Sequence, residues 1–421
     1  MKVLLRGRRW GKTVLGDAWL AFLSGEAHLF KGTAVETKMR KDKLIGVKLY
    51  FSRAKVLGGL MVEFKRAVSS GLERATQLDP TFSYSPLKIL YPRDAQGNLI
   101  PSDLWTIQQC NRIFAEICRR MNDIARSSSK KFTLFIDEYD SFVIKALQDQ
   151  TNSDNYLTMN DFFGGVFTKL KSLTRTIPFQ FITGSSRLAI RGFWSGPNNI
   201  VDLSSSPLQQ PRWAIRGKKL NKYILFNLKG CKRFMVSLVL NCKTDWYDPH
   251  RWSSSSSDHV FNTWSIHQFM NSGKFMPYWA STGSSSRMLD SKLLLKSLVS
   301  SVMHDEVITI QPKSLTDSRL PHNRGESLSD EAQKALLVGA GILAIDPNYA
   351  QTSQSTPISL VIPNLDARVA IRKIFQGAIS IPQSFDLSRA QQYIDQNDII
   401  GLINYMIETN ALHETLSFFS P

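Results

Sequence analysis

Near the start of the chain, a short apolar segment runs into residues with the chemistry to hold phosphate. Val3 to Leu5 predict a strand, the next eight residues read Arg-Gly-Arg-Arg-Trp-Gly-Lys-Thr, and apolar residues then recur at helical spacing until Gly25. In such a strand–turn–helix the backbone N–H groups face an anion, the lysine reaches the β- and γ-phosphates, and the threonine hydroxyl holds Mg²⁺. The usual loop has a glycine six residues before its lysine, where this chain has Arg6, so the loop is a variant. We predict a nucleotide site formed by Gly7, Arg8, Arg9, Trp10, Gly11, Lys12 and Thr13.

Two neighbouring acids, Asp137 and Glu138, follow an apolar run that is typical of a strand buried on both faces of a parallel sheet. A nucleotide site needs one carboxylate to orient hydrated Mg²⁺ and another within reach of the attacking water. We assign Asp137 to binding of the Mg²⁺ ion and Glu138 to activation of the attacking water. The alternative is a solvated pair of acids that begins a helix and suits its dipole. Because the loop and the acids occur together, the nucleotide site is the favoured interpretation.

A third polar cluster follows the next predicted strand, Phe179 to Ile182. Thr183 or Ser185 would sense the γ-phosphate from the neighbouring strand end, and Arg187 would supply positive charge to the transition state. Ordinary turn chemistry explains a Thr-Gly-Ser sequence equally well, and that alternative stays open.

The elements that position these residues alternate between strands and helices over the first half of the chain. This pattern predicts an α/β fold, a parallel sheet with helices on both faces. Together with the Gly-Lys-Thr loop, it predicts the parallel sheet of a P-loop NTPase. The C-terminal region is predicted to be mostly helical, with a helix at 331–338 and a hairpin of 341–345 and 358–362, an order typical of a winged helix. We divide the chain into an ATPase-like domain (1–205), a basic and Trp/Ser-rich lid or linker (206–290) and a C-terminal domain (291–421).

The charge balance favours an anionic partner, because 52 Lys and Arg residues face 35 Asp and Glu residues, a net charge of +17. Nine of the basic residues lie between Leu203 and Thr244, where there is no acidic residue. With its aromatic residues, the segment 209–243 has the pattern of a nucleic-acid surface, although a solvated lid with core aromatics is the favoured alternative.

The four cysteines are scattered along the chain, which favours a reducing compartment, and no apolar run is long enough for a membrane span. We therefore expect an intracellular protein without a membrane partner.

Taken together and in this order, these motifs resemble the AAA-ATPase-like family of P-loop proteins. Its members carry an Arg-Pro-Arg-Arg-Phe-Gly-Lys-Ser/Thr loop where this chain has residues 6–13, and the resemblance continues through 135–140 and 181–185. Further on, residues 245–252 are similar to a Trp-Tyr-Asp-Gly-Tyr-Arg-Phe element and residues 261–266 to a Tyr-Asn-Pro-Trp-Ser-Ile element. Residues 278–284 and 362–364 also fit, so the resemblance covers most of the chain.

The resemblance implies ATP binding and Mg²⁺-dependent hydrolysis, with Lys12 and Glu138 as catalytic residues and with Thr13 and Asp137 on the metal. Family members often carry a C-terminal restriction-like nuclease domain and occur beside mobile elements. We expect no nuclease here, because the chain ends about where that domain would begin.

Two other functions stay open. One is an inactive remnant that serves as a binding module, since the segment that usually precedes the loop is missing. The other is a P-loop kinase with the basic stretch as its lid. The acid pair suits water activation better than phosphate transfer.

Overall fold

A computed structural model gives the architecture of the chain. It describes residues 2–5, 7, 9–33, 35–39, 43–51, 57–78, 91–128, 130–141, 153–185, 201–204, 246–247, 250–252, 261–282, 307–316, 329–350, 353, 355–378, 384–396, 398–409 and 411. The predicted site residues Arg8 and Arg187 and the basic segment 209–243 lie outside these residues.

The N-terminal half contains a five-stranded parallel sheet whose order is β2-β3-β4-β1-β5. Its strands are β1 (Lys2–Leu5), β2 (Ile45–Tyr50), β3 (Phe132–Asp137), β4 (Phe179–Gly184) and β5 (Val201–Asp202). The helices between them are α1 (Lys12–Ser24), α2 (Leu57–Leu78), α3 (Ile107–Ser128) and α4 (Ser153–Ser172). The predicted alternation of strands and helices is thereby confirmed.

Both faces of the sheet are buried, because side chains that alternate along each strand enter two different cores. On one face Val3 and Leu5 pack with residues of α2, α3 and α4, and on the other Leu4 packs with Leu20 of α1. All six residues of β3 are buried, as its continuous apolar run predicts. Asp137, the polar residue that ends this strand, is therefore buried in the interior of the protein.

Helix α1 lies close against the sheet at a glycine. A Cβ atom added to Gly16 would lie 2.0 Å from Cζ of Phe135 on β3, so no larger residue fits there without movement. The helix ends at Gly25, which adopts the left-handed conformation (φ 77°) that commonly terminates helices. The start and direction of α1 are thus held by contacts with the strand that carries the acid pair.

The C-terminal region contains a small antiparallel sheet of order β6-β8-β7, surrounded by helices. Its elements and the helices around it are α5 (Thr263–Ser272), β6 (Ile308–Ile310), α6 (Pro312–Thr316), α7 (Asp330–Ala340), β7 (Ala344–Ile345), β8 (Ile358–Val361), α8 (Leu365–Ala378), α9 (Leu387–Asp395) and α10 (Ile399–Glu408). The predicted helix and hairpin are confirmed as α7, β7 and β8. Among the described helices, none combines the length and apolarity that crossing a bilayer requires.

Buried polar side chains tie the pieces of this region together. The carboxylate of Asp366, 3 % exposed, accepts hydrogen bonds from the Ser265 hydroxyl (2.8 Å) and from the backbone N–H groups of Trp279 (3.1 Å) and Ala280 (3.0 Å). The Arg251 guanidinium donates to three carbonyl groups of the loop between β7 and β8, those of residues 346, 347 and 349. The described residues 250–252 and 261–282 therefore pack with the elements of the small sheet and with α8.

Candidate nucleotide site

The loop between β1 and α1 encloses its own lysine. Lys12 is 5 % exposed, and its Nζ atom donates a hydrogen bond of 2.8 Å to the backbone carbonyl of Gly7. Two residues of the loop, Arg9 (φ 65°) and Gly11 (φ 74°), adopt the left-handed conformation, which is uncommon for a residue with a side chain. The backbone thus bends around an ammonium group, as a phosphate-binding loop requires.

The N-terminus of α1 favours an anion. Its N-cap is Gly11, which has no side chain to cap the helix, and there is no acidic residue in the first turn. A helix start leaves backbone N–H groups without intrahelical acceptors and carries the positive end of the helix dipole. The partly buried Thr13 lies on this first turn. A helix start of this kind can bind an anion. Nucleotide binding by this loop stays a prediction.

The acidic part of the site lies at the end of β3. Asp137 is fully buried, and its Oδ1 atom accepts a hydrogen bond from the Thr183 hydroxyl of β4. Its second oxygen, Oδ2, is buried and has no hydrogen-bond partner among the described residues. Glu138 follows in the left-handed conformation (φ 53°) and is only partly buried, so the chain turns sharply where the strand ends. One acid is thus held by a hydrogen bond from the neighbouring strand, and the other is partly exposed at the turn that follows β3.

The loop and the acid pair lie at the same edge of the sheet. Leu4 on β1 pairs with Thr183 on β4, and Ile136 on β3 pairs with Ile182, so Asp137 follows level with Thr183. Since neighbouring strands are about 4.8 Å apart, the backbones of β1 and β3 are roughly 10 Å apart at this level. After β1 the chain crosses to β2, which forms one edge of the sheet. After β4 it crosses in the opposite direction to β5, which forms the other edge. Ligands of open α/β sheets bind in the crevice at such a switch point.

Comparison with known proteins agrees with this geometry. Residues 1–194 match the family model described as AAA-ATPase-like, a predicted AAA-ATPase. This N-terminal part of the chain is therefore similar to the AAA-ATPase-like family. The family description supports binding of ATP by the N-terminal segment.

One curated relative matches more of the chain. It is an uncharacterized protein in the vnfD 5' region of Azotobacter chroococcum mcd 1, 21 % identical over 382 residues. The match covers 88 % of this chain and 62 % of the relative, so the chain spans less than two thirds of that protein. No solved structure matches the chain.

The structure gives the two sensor candidates of the AAA-ATPase-like segment different surroundings. The Thr183 hydroxyl is directed to Asp137. Ser185 is engaged by Asp140, whose carboxylate accepts from both its backbone N–H (2.8 Å) and its hydroxyl (3.1 Å). Thr183 is therefore the candidate in direct contact with the acid pair, while Ser185 is held one step away.

Trp10, predicted to contact nucleotide, directs its side chain away from the AAA-ATPase-like sheet. The indole is 3 % exposed and packs with Trp252, Trp279 and residues of the small C-terminal sheet. Arg9 places its guanidinium 4.5 Å from the centre of the Trp264 ring. Three tryptophans of the elements that carry the family resemblance thus lie beside the loop between β1 and α1. Trp252 and Trp279 pack with Trp10, and Trp264 lies against Arg9. Sequence spacing has no signal for these contacts, because they join residues far apart in the chain.

The carboxylate at the end of β3 has the chemistry to bind the Mg²⁺ ion of a Mg²⁺–nucleotide complex. No group of three or more His, Cys, Asp or Glu residues is arranged to hold a metal within the described part of the chain. Magnesium in nucleotide sites needs no such cage, since it keeps several waters and uses one or two carboxylates together with substrate phosphates. The buried Oδ2 atom of Asp137 has no hydrogen-bond partner among the described residues. As a carboxylate oxygen, it is a suitable ligand for Mg²⁺ or for one of its waters.

Proposed function

We propose that the chain is a Mg²⁺-dependent ATPase that acts as a nucleotide switch, with ATP bound between the phosphate loop and the end of β3. The observation that carries the proposal is the pairing of two features at one sheet edge. A buried lysine is wrapped by its own loop, and a buried carboxylate has one oxygen bonded to Thr183 and the other without a described partner.

Lys12 supplies the charge that binds the triphosphate. In the structure its ammonium group donates a hydrogen bond to the Gly7 carbonyl. When ATP binds, the ammonium group exchanges this neutral acceptor for charged phosphate oxygens, and hydrogen bonds to charged groups are the stronger ones. The backbone N–H groups of the loop and of the first turn of α1 add further donors.

Thr13 and Asp137 would hold Mg²⁺, either directly or through its waters. When bound, the ion neutralises charge on the phosphates and on the departing diphosphate. The Thr183 hydroxyl fixes the orientation of the Asp137 carboxylate, because both groups are fully buried. Thr183 thereby connects the metal side of the site to the neighbouring strand.

Glu138 is the proposed general base. Its left-handed backbone turns the residue out of the line of β3, and its partial exposure leaves it accessible to water. Its carboxylate accepts a proton from the water that attacks the γ-phosphorus, while the bond from that phosphorus to the bridging oxygen breaks and ADP leaves. Positioned bases typically contribute about 10²- to 10⁴-fold to a rate.

Phosphate release in the presence of Mg²⁺ tests the assignment. We expect Glu138→Gln to bind ATP and to release phosphate about 10²- to 10⁴-fold more slowly, whereas Lys12→Ala loses binding. Glu73→Gln, the same chemical change at an exposed position of α2, is the matched control and should match wild type. Equal turnover by Glu138→Gln would refute its role. Binding without turnover by wild type would favour the inactive remnant, and transfer to an added acceptor would favour a kinase.

Nucleic acid is a proposed partner of the basic segment 209–243, on the evidence of its charge and aromatic content alone. We expect salt-sensitive binding of DNA or RNA that is lost when Lys218, Lys219 and Lys222 are neutralised together. Binding that does not change with salt concentration would contradict this proposal.

A further inference from the structure

The phosphate loop inserts a tryptophan into the core of the C-terminal region. The Trp10 ring makes edge contacts with His250 (centroids 4.6 Å apart, planes at 84°) and with Trp252 (5.2 Å, 89°). It also lies against Gly341, where an added Cβ would be 3.1 Å from the Trp10 Nε1 atom. Gly341 has φ 85° and ends α7, so both its conformation and the nearby indole require glycine there.

Other residues of the same loop contact this region as well. A Cβ on Gly7 would lie 2.0 Å from the carbonyl oxygen of Ala340, so the backbone of the loop lies directly against the end of α7. The Thr263 hydroxyl donates to the Arg9 carbonyl (3.2 Å), and the Arg9 guanidinium lies over Trp264. Gly7, Arg9 and Trp10 are thus held from outside the AAA-ATPase-like segment. We call the described residues between 250 and 371 the C-terminal module.

These contacts act on the residues that shape the phosphate site. Gly7 provides the carbonyl that holds Lys12, and Arg9 has a left-handed backbone, as Gly11 does among the described residues of the loop. A residue with a side chain adopts that conformation at a cost in free energy, and it persists only where surrounding contacts maintain it. Here the described contacts come from Thr263 and Trp264. The C-terminal module therefore holds the loop in the shape that surrounds the lysine.

We infer that Trp10 is a positioning residue for the phosphate loop, and that docking of the C-terminal module on Trp10 and nucleotide binding at Lys12 strengthen each other. This inference rests on the proposed function, because it presumes that ATP binds at the loop. Coupling of this kind is reciprocal: if a docked module raises the affinity for ATP, bound ATP must stabilise docking by the same factor. The nucleotide state of the loop is then transmitted to the C-terminal module, with the Trp10 indole, among the described residues, as the largest buried contact between them.

The test uses the full chain and two measurements. The first is the affinity for ATP and for its non-hydrolysable β,γ-imido analogue, with Mg²⁺, of wild type, Trp10→Ala, Trp10→Phe and Trp19→Ala. Trp19 is the matched control, because it lies on α1 and stacks on Phe179 of the sheet (4.8 Å). The second is amide hydrogen exchange in the C-terminal module. The N–H groups of Ile342 and Leu343 bond to the Leu337 carbonyl, and that of Ile345 bonds to the Arg251 carbonyl, so they report on the module near Trp10.

We expect Trp10→Ala to weaken nucleotide binding on the order of tenfold or more, within the range typical of coupled sites. Trp10→Phe should recover part of the affinity, and Trp19→Ala should bind as wild type does. The analogue should slow exchange at Ile342, Leu343 and Ile345 in wild type but not in Trp10→Ala. This last result separates coupling from simple loss of stability.

Two results would overturn the inference in distinguishable ways. If wild type binds ATP but the analogue leaves exchange in the module unchanged, or Trp10→Ala binds as tightly as wild type, the coupling is absent while the proposed function stands. If wild type binds no ATP, the proposed function fails and the inference fails with it. The exchange measurement on wild type decides whether loop and module are coupled even if Trp10→Ala does not fold, and the affinity of Trp10→Phe then tests the role of the indole.

Discussion

Replacing Thr183 with valine removes the hydroxyl that holds Asp137 and leaves the side-chain shape almost unchanged. Both residues are fully buried, and the second carboxylate oxygen already lacks a hydrogen-bond partner among the described residues. The variant therefore leaves a buried carboxylate with less support and creates almost no cavity. A hydrogen bond to a charged group contributes about 1.5–3 kcal/mol, so we expect the free energy of unfolding to fall by that amount.

Denaturant unfolding followed by circular dichroism measures this loss, and Thr183→Ser is the matched control. Serine keeps the hydroxyl and removes one methyl group, which should cost only about 1 kcal/mol. The affinity for Mg²⁺–ATP should depend on the hydroxyl group and not on the side-chain volume. The serine variant should therefore bind as wild type does, and the valine variant should bind more weakly. A valine variant within about 0.5 kcal/mol of wild type, with unchanged binding, would refute the assigned role of Thr183.

Three other substitutions test the packing around the site. Gly16→Ala should destabilise the protein by roughly 1–3 kcal/mol, measured by thermal unfolding, because its Cβ would meet the Phe135 ring. Trp264→Ala should weaken ATP binding about two- to fivefold in a titration, since it removes the ring beneath Arg9; unchanged affinity would contradict this role. Burial raises the pKa of the Cys110 thiol to about 12, so Cys110 of the folded protein should resist a thiol reagent near pH 8. Mass mapping of the peptide that contains Cys110 measures this, and its rapid labelling would disprove that burial. Because the unfolded thiol ionises at lower pH, the free energy of unfolding should fall as pH rises from about 9 towards 12, and less so in Cys110→Ala.

Local sequence patterns account for most of the sheet. The apolar run of β3 predicts a strand buried on both faces, and Gly25 marks the end of α1 as observed. Helix boundaries are less predictable. Helix α3 begins at Ile107, because Thr106 and Gln109 exchange reciprocal hydrogen bonds (3.2 and 2.7 Å) that form a capping box. Helix α4 begins at Ser153, and the sequence gives little signal for this start because the first residues of the helix show little apolar periodicity.

The candidate site divides in the same way. Its loop and acid pair can be recognised from residue types and from the strands before them, and the structure places both at one edge of the sheet. Their roles in binding and hydrolysis stay predictions. The contacts of Trp10 could not be foreseen, because a tryptophan in a phosphate loop has no local feature that points to His250 or Gly341. Long-range packing of this kind is visible only in three dimensions.

Titration of the purified chain with ATP in the presence of Mg²⁺ tests the central claim most directly. Wild type should bind one ATP per chain, and binding should disappear in Lys12→Ala, which loses the ammonium group that the loop encloses. Far-ultraviolet circular dichroism should show the same folded content for both proteins. Equal ATP affinity of wild type and a folded Lys12→Ala protein would contradict the claim that the phosphate loop binds the nucleotide.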